Sequence, residues 1–460
     1  MHTGRKFFVL GTILALLGAI AGGLLIASPA LAVATSTKIT INNHSGYADT
    51  ETYLIVWGKT TAKDVHSHLD LVTGTLIPCK ASDNTYEVIR DDGITEYYAQ
   101  YWITLNQLPK NPDGSYSFTC PVVNSARLFI SFRKPVYLHI NSGATDKDPV
   151  AVAEPDDANI YDPTYKTLWD KFEWTLDGKG LHANTTAIDF FGLPLQFIMK
   201  RSVGLDLGPL GFSGSRGAVT RHLNPNALLS PLKTPYRYYS PKAINPTQAP
   251  ITRPPIKFPD NYFKPYVDWV WAHRWQTADS LQVSAGGYAW TGQISGGVLT
   301  LKVVKIPGET HTINKPTQDW DILACAGVFN KDADTFKNGA AQDRDGAIKN
   351  EIASAINRGV MHRPTSDWSK QGYYYTFEPS GLPADPLTPP LPADNFRFNI
   401  YSQYLHQVAI NHFIYGYPYD DKYDQASYTT DPNGTELVVT INNCKDMGLT
   451  APINAFLLFD

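Results

Sequence analysis

Between residues 38 and 140, apolar and polar positions alternate in short runs at 38–42, 52–57, 97–105, 127–132 and 136–140. Each run is rich in β-branched and aromatic residues and is bounded by Gly, Asn, Asp or Pro. A period of two predicts half-buried strands, and so many short ones in succession predict a β-sandwich or β-barrel. Two proline-rich stretches, 225–259 and 379–392, interrupt this texture, because proline neither donates to a strand ladder nor continues a helix. Between them lie strand patterns at 281–290 and 298–304 and a helix over 346–358. In that helix Ile348, Ile352 and Ile356 recur every fourth residue, Asp343 and Asp345 precede the run, and Gly359 closes it. Strand texture returns at 396–401 and 436–441, and the last strands are expected to rejoin the first sheet. A chain of 460 residues is long for one core. The pattern therefore predicts a mainly β protein: a discontinuous β domain (36–225 and 395–460), a smaller inserted α/β domain (256–376), connections at 226–255 and 377–394, and a cleft between the domains.

The N-terminus adds an address. Arg5 and Lys6 precede an almost wholly apolar stretch, and Ala30-Leu31-Ala32 offers small residues to a signal peptidase, so residues 1–32 read as a signal peptide of a secreted protein. Left uncut, the stretch is close to the ~20 residues that span a bilayer; once it is removed, no other segment is apolar enough to do so. A net charge of −4 offers no basic stripe for nucleic acid. Aromatic residues at 12% suit an uncharged ligand that stacks on rings, such as a sugar. Four cysteines suit an exported chain, and Cys79 with Cys120 is the expected disulfide among three possible connectivities. His66, His68 and Asp70 lack a fourth ligand, so neither metal nor cofactor is expected. His412 reads as a packed histidine on a strand.

The candidate chemistry lies in two neighbouring segments. In 171–177, Phe172, Trp174 and Leu176 share one face of a strand, and Glu173, Thr175 and Asp177 share the other. Like charges on one strand face repel, and a solvent-facing edge is the ordinary explanation for them. Asp189, however, is flanked by Ile188 and Phe190, where a carboxylate is costly unless it is hydrogen-bonded or faces a wet cleft. Glycoside hydrolysis needs two carboxyl groups: a protonated acid and an ionised partner that attacks the sugar or activates water. If 177–180 closed as a plain two-residue hairpin, Glu173 would pair with Asn184 and Asp189 would point to the opposite face. A longer loop or a bulge is therefore expected to intervene.

The runs Trp169-Asp170-Lys171-Phe172-Glu173-Trp174-Thr175, Gly180-Leu181-His182-Ala183-Asn184-Thr185-Thr186 and Asp189-Phe190-Phe191-Gly192-Leu193-Pro194-Leu195 resemble glycoside hydrolase family 64, which contains the laminaripentaose-producing β-1,3-glucanases. The similarity extends from the strand near Ile39 to the one near Ile441. It includes Tyr417-Pro418-Tyr419-Asp420-Asp421, a motif shared with thaumatin-like proteins. The resemblance implies a thaumatin-like β domain joined to an α/β domain, with a wide groove for β-1,3-glucan. It places Glu173 at the general acid and Asp189 at the general base of an inverting, endo-acting enzyme that releases short oligosaccharides and works as a monomer. Thr175, Asp177, His182, Thr186, Asp420 and Asp421 fall at groove positions that contact sugar. His182 stands where the family usually has Trp, and Asp177 where it has Asn. A thaumatin-like β-glucan-binding protein without hydrolysis is the alternative that the same residues allow.

Overall fold

The strands Ser36–Asn43 and Gly434–Ile441 lie side by side and parallel, Ile39 opposite Leu437 and Ile41 opposite Val439, so the end of the described chain does rejoin its beginning. This computed structural model describes residues 34–60, 64–145, 148–276, 279–332, 335–336, 339–369 and 391–445. The expected signal peptide, most of the 377–394 connection and the stretch 446–460 lie outside the described residues. The parallel pair forms the middle of a five-stranded sheet, in the order Leu207–Gly211, Leu195–Arg201, Gly434–Ile441, Ser36–Asn43, Tyr116–Pro121.

An eight-stranded antiparallel sheet packs against it. Its order is Tyr428–Asp431, Gly180–Thr185, Leu168–Asp177, Val123–Phe132, Thr52–Lys59, His66–Asp70, Thr75–Pro78, with the short Ile103–Thr104 also paired to Thr52–Lys59. Ile39, Ile41, Phe197, Leu437 and Val439 of the smaller sheet share one buried core with Leu54, Leu128, Phe172, Trp174 and Leu176 of the larger. The two-layer expectation is met in this form; neither of these sheets closes into a barrel.

A second core surrounds the four-stranded meander Leu281–Ala285, Tyr288–Ser295, Val298–Val303, Thr310–Asn314. Ile348, Ile352 and Ile356 of the Gly339–Asn357 helix are fully buried there against Leu299, Leu301 and Ile313. Gly359 ends the helix at φ +68, a left-handed conformation that glycine adopts without strain.

Several expectations need correction. The 281–290 run is two strands, because Gly286 and Gly287, both at positive φ, turn the chain between them. The 97–105 run is also divided: Thr95–Ala99 pairs with Asn84–Ile89, whereas Ile103–Thr104 pairs with the large sheet. The 136–140 strand begins later, as His139–Thr145. Residues 396–401 are not a strand. Asn399 caps a helix, Ile400–Val408, its Oδ1 accepting from the Ser402 N–H, and Ile400, Tyr401 and Leu405 form the buried stripe. The long helix starts at Gly339, so Asp345 lies inside it, buried between His311 and Lys349, instead of capping it. His412 sits exposed in a 3-10 turn at φ +64. All four cysteines are free and buried. Cys120 lies in the core between the sheets, while Cys79 packs apart from it with Ala99, Ile140 and Val150.

His362 gives the second core a defined pH response. It is 1% exposed, with Nδ1 3.0 Å from the Tyr266 hydroxyl. Burial, with Arg363 and Arg274 nearby, pushes its pKa down to about 3. The unfolded chain takes up a proton near the ordinary value of about 6.5, so the stabilising contribution is full above that pH and is lost as pH falls towards about 3. Urea unfolding at pH 7 and pH 4 is expected to show a larger loss of stability for the wild type than for His362→Gln; equal losses would mean that His362 does not carry this dependence.

Candidate functional site

The polar face of the Leu168–Asp177 strand is not a solvent edge, because the strand lies between Val123–Phe132 and Gly180–Thr185. Phe172, Trp174 and Leu176 point into the core between the sheets, and Lys171, Glu173, Thr175 and Asp177 are half-buried on the opposite face. That outer face changes character along its length. At one end, Ile55, Phe129 and Trp169 are covered by Val136, Leu138, Tyr165, Phe190 and Tyr239. At the other, Ser125, Arg127, Glu173, Thr175, His182, Asn184 and Tyr428 line an open depression of roughly 180 Å³.

The hairpin is the plain two-residue one. Asp177 pairs with Gly180 and Glu173 with Asn184, so the expected longer loop or bulge is absent from the turn. The irregularity lies elsewhere. The second strand stops at Thr185, Thr186 makes a single parallel bridge to Tyr415, and the Ala187 N–H donates to the Tyr415 carbonyl. Asp189 follows, its carbonyl accepting from the Ser240 N–H, and Phe190 and Phe191 then pair with Tyr239 and Tyr238. Asp170, on the core side of the Glu173 strand, accepts the N–H groups of Gly192 and Leu193 at 2.9 Å each. A Cβ at Gly192 would come within 2.1 Å of the Trp169 carbonyl oxygen, so only glycine permits this approach. Departure from the ladder after Thr185 returns Asp189 to the side of the sheet that carries Lys171.

An unbroken chain of alternating charges links the two candidate carboxylates. Arg127 Nε lies 3.0 Å from Glu173 Oε1, and Arg127 Nη1 lies 2.5 Å from Glu154 Oε1. Lys171 Nζ stands 3.8 Å from Glu154 and 3.3 Å from Asp189 Oδ2, and Lys242 Nζ lies 2.5 Å from Asp189 Oδ1. Burial works against the charge on Asp189, but Lys171 and Lys242 outweigh it and hold the carboxyl well below the usual carboxylate range. The neighbouring Asp157 carboxyl is pushed the other way, up to about 7, first by burial and then by the charge of Asp189.

The other expected site residues divide. Thr175 Oγ1 accepts from the Ser125 N–H at 2.9 Å, beside a bulge where Ser125 takes φ +49. Asp177 accepts from the Lys179 N–H, which with His182 lowers its pKa, and its Oδ1 is 3.5 Å from His182 Nε2. His182 Nδ1 is 2.9 Å from the Tyr428 hydroxyl, and the two rings are stacked. Thr186 stands at the bridge, outside the depression. Asp421 is exposed and lines an adjoining depression that shares Tyr428. Asp420, by contrast, is 0% exposed: its Oδ2 accepts from Gly416 N–H at 3.0 Å and Ser402 Oγ at 3.2 Å, and lies 2.9 Å from His406 Nε2. It braces the turn that presents Asp421 and does not reach the open face. His66 and His68 are occupied as well, by the Val150 carbonyl and the Tyr101 ring, and among the described residues no three ligating side chains converge on a metal position.

Arg127, Glu154, Lys171, Lys242 and Tyr428 were not singled out from the sequence, and Asn184 was named there only as the register partner of Glu173. Lys171 shares the alternating face with Glu173 and was legible there; Arg127 and Tyr428 depend on strand register, and Glu154 and Lys242 on segments outside the strands. Asn184 stands opposite Glu173, and its Oδ1 is buried with no hydrogen-bond partner, an acceptor available to a ligand in the depression.

A family model of β-1,3-glucanases, glycoside hydrolase family 64, matches residues 35–441. The chain belongs to this family. Family 64 membership makes it a glycoside hydrolase of the β-1,3-glucanase type, acting on β-1,3-glucan. Among solved structures, a family 64 β-1,3-glucanase domain from Clostridium beijerinckii shares 23% identity over 89% of this chain and 98% of its own, with a TM-score of 0.71. A laminaripentaose-producing β-1,3-glucanase from Paenibacillus barengoltzii shares 22% over 91% of this chain and 78% of its own, with a TM-score of 0.58. Another laminaripentaose-producing β-1,3-glucanase, in complex with laminaritetraose, shares 19% over 89% and 99%, with a TM-score of 0.63. At these identities the likenesses establish the fold. A search of curated proteins finds no match.

The contrast between the adjacent aspartates is testable by stability alone. Asp420→Ala strands the buried Gly416 N–H and Ser402 hydroxyl and removes the His406 contact, and is expected to cost about 3 kcal/mol or more, whereas Asp421→Ala on the surface should change stability by about 1 kcal/mol or less. Equal urea midpoints for the two variants would contradict the bracing role of Asp420.

Proposed function

We propose that the protein is a secreted, inverting endo-β-1,3-glucanase in which Glu173 is the general acid and Asp189 the general base. One observation carries the assignment: of the two carboxyl groups joined by the charge chain, Glu173 lines the open depression and Asp189 is kept ionised by two lysines. An ionised partner is what the reaction asks of a base, and a carboxyl beside the sugar is what it asks of an acid.

In this reading a glucan chain lies over the outer face of the large sheet. Glu173 protonates the glycosidic oxygen, Asp189 takes a proton from water, and that water attacks the opposite face of the anomeric carbon, so no covalent intermediate forms. The geometry suited to this is a carboxyl separation of roughly 6.5–9.5 Å. Thr175, His182, Thr186 and Asp421 are assigned to sugar contact, joined by Asn184 and Tyr428; Asp177 closes the hairpin that presents them, and Asp420 braces the Asp421 turn. The Tyr428 ring beside His182, 41% exposed, offers the stacking surface expected of a groove aromatic. That the structural neighbours include a laminaripentaose-producing enzyme complexed with laminarihexaose favours a long groove and short oligosaccharide products here too. The two-sheet layer is assigned to a thaumatin-like domain and the second core to an inserted α/β domain, with the groove between them. Export rests on the N-terminal leader, and a monomer is sufficient for the site.

Purified enzyme with laminarin, followed by reducing ends and by NMR of the newly formed anomer, tests this reading. The wild type is expected to release the α-anomer first, and Glu173→Gln and Asp189→Asn to lose activity by about 10²-fold or more while remaining folded. Initial release of the β-anomer would establish retention instead, and binding of laminarin without cleavage would make the protein a glucan-binding relative.

A further inference from the structure

Lys242 belongs to the proline-rich connection that the sequence pattern leaves without a role, yet its ammonium group is bound to Asp189. The path that brings it there is short. Tyr238 and Tyr239 pair with Phe191 and Phe190, the Ser240 N–H donates to the Asp189 carbonyl, and the Ser240 side chain caps the 3-10 turn Pro241–Ala243. The turn folds Lys242 back over the residue its own strand has just gripped. Arg237, just before this strand, is buried among Tyr165, Trp169, Phe190 and Tyr239 and donates to the carbonyls of Tyr165 and Thr167, so the pairing is held from below. Lys242 also lines a depression with Asp156, Ala243, Gln248, Trp320 and Ala324.

We infer that Lys242 is a positioning residue for the proposed base: it clamps one oxygen of Asp189 while Lys171 holds the other, fixing the carboxylate's orientation towards the water it activates. The inference rests on the reading of Asp189 as the base. A carboxylate held at both oxygens cannot rotate, and orientation is worth much of the rate in a water-activating step. Lys242 also keeps Asp189 ionised under acidic conditions, and burial alone would do the opposite. Lys171 cannot substitute, because it is shared with Glu154. The other titratable groups facing the pair are Asp156 and Asp157 from the preceding loop, Tyr401 from the Ile400–Val408 helix and the Cys325 thiol. None of them supplies a positive charge.

The test compares Lys242→Met, Lys242→Gln and Lys242→Arg with the wild type across pH. In the Met and Gln variants kcat is expected to fall about tenfold or more, with KM for soluble glucan little changed. The acid limb of the kcat profile should move up by about one pH unit, and Arg should restore it. Where turnover is too slow to follow, the side-chain carboxyl ¹³C signal of Asp189, identified by its disappearance in Asp189→Asn, reports the same midpoint. An unmoved acid limb or carboxyl midpoint in folded Met and Gln variants would overturn the role of Lys242, even if Asp189→Asn is inactive. An active Asp189→Asn would instead remove the base assignment on which the inference rests.

Discussion

Everything at the site depends on keeping the charge of Asp189 in a partly buried place. Its neighbours Ile188 and Phe190 come from an apolar segment, and Phe190 is committed to the cluster that covers part of the outer face of the sheet. A carboxylate there is tolerable only with cations within contact distance, and Lys171 and Lys242 provide them from two directions. Lys171 is in turn balanced by Glu154, Glu154 by Arg127, and Arg127 by Glu173. Glu173, a carboxylate that the strand pattern alone would explain as a solvent edge, is thus one member of a neutralised network.

The fold supplies each member of that network by a separate route. Glu173 and Lys171 follow from simple alternation on a central strand whose other face is locked into the core by Phe172, Trp174 and Leu176. Arg127 comes from the neighbouring strand by register, directly opposite Glu173. Asp189 arrives only because the hairpin partner leaves the ladder and is recaptured by Asp170 and by the Tyr238–Tyr239 strand. Lys242 then follows from that recapture. Covering one half of the outer face with aromatic rings and leaving the other half open sets where a ligand can lie.

Strands with one buried face, such as Ser36–Asn43 and Gly434–Ile441, were legible because their periodicity is local. The helix carrying Ile348, Ile352 and Ile356 was legible for the same reason, although its start was not, since Asp345 is satisfied by the distant His311. The Ile400–Val408 helix was hidden by β-prone residues just ahead of its Asn399 cap. Glu173 and Asp189 stood out as carboxylates in apolar surroundings, and the family resemblance added their proposed roles. Asp420 misled for the converse reason: nothing local shows that its partners are Ser402, His406 and Gly416. Cys79 and Cys120 looked like neighbours because both end strands, but the strands belong to different layers.

In the proposed reaction a glucan chain crosses the open half of the large sheet between the two carboxyl groups. A crystal structure of Glu173→Gln soaked with laminarihexaose addresses this directly. The expected result is a sugar chain packed on Tyr428 and Asn184, with a glycosidic oxygen at the residue 173 side chain and an ordered water between Asp189 and the opposite face of the adjoining anomeric carbon. A chain bound away from this face, or one that leaves no room for water beside Asp189, would contradict it.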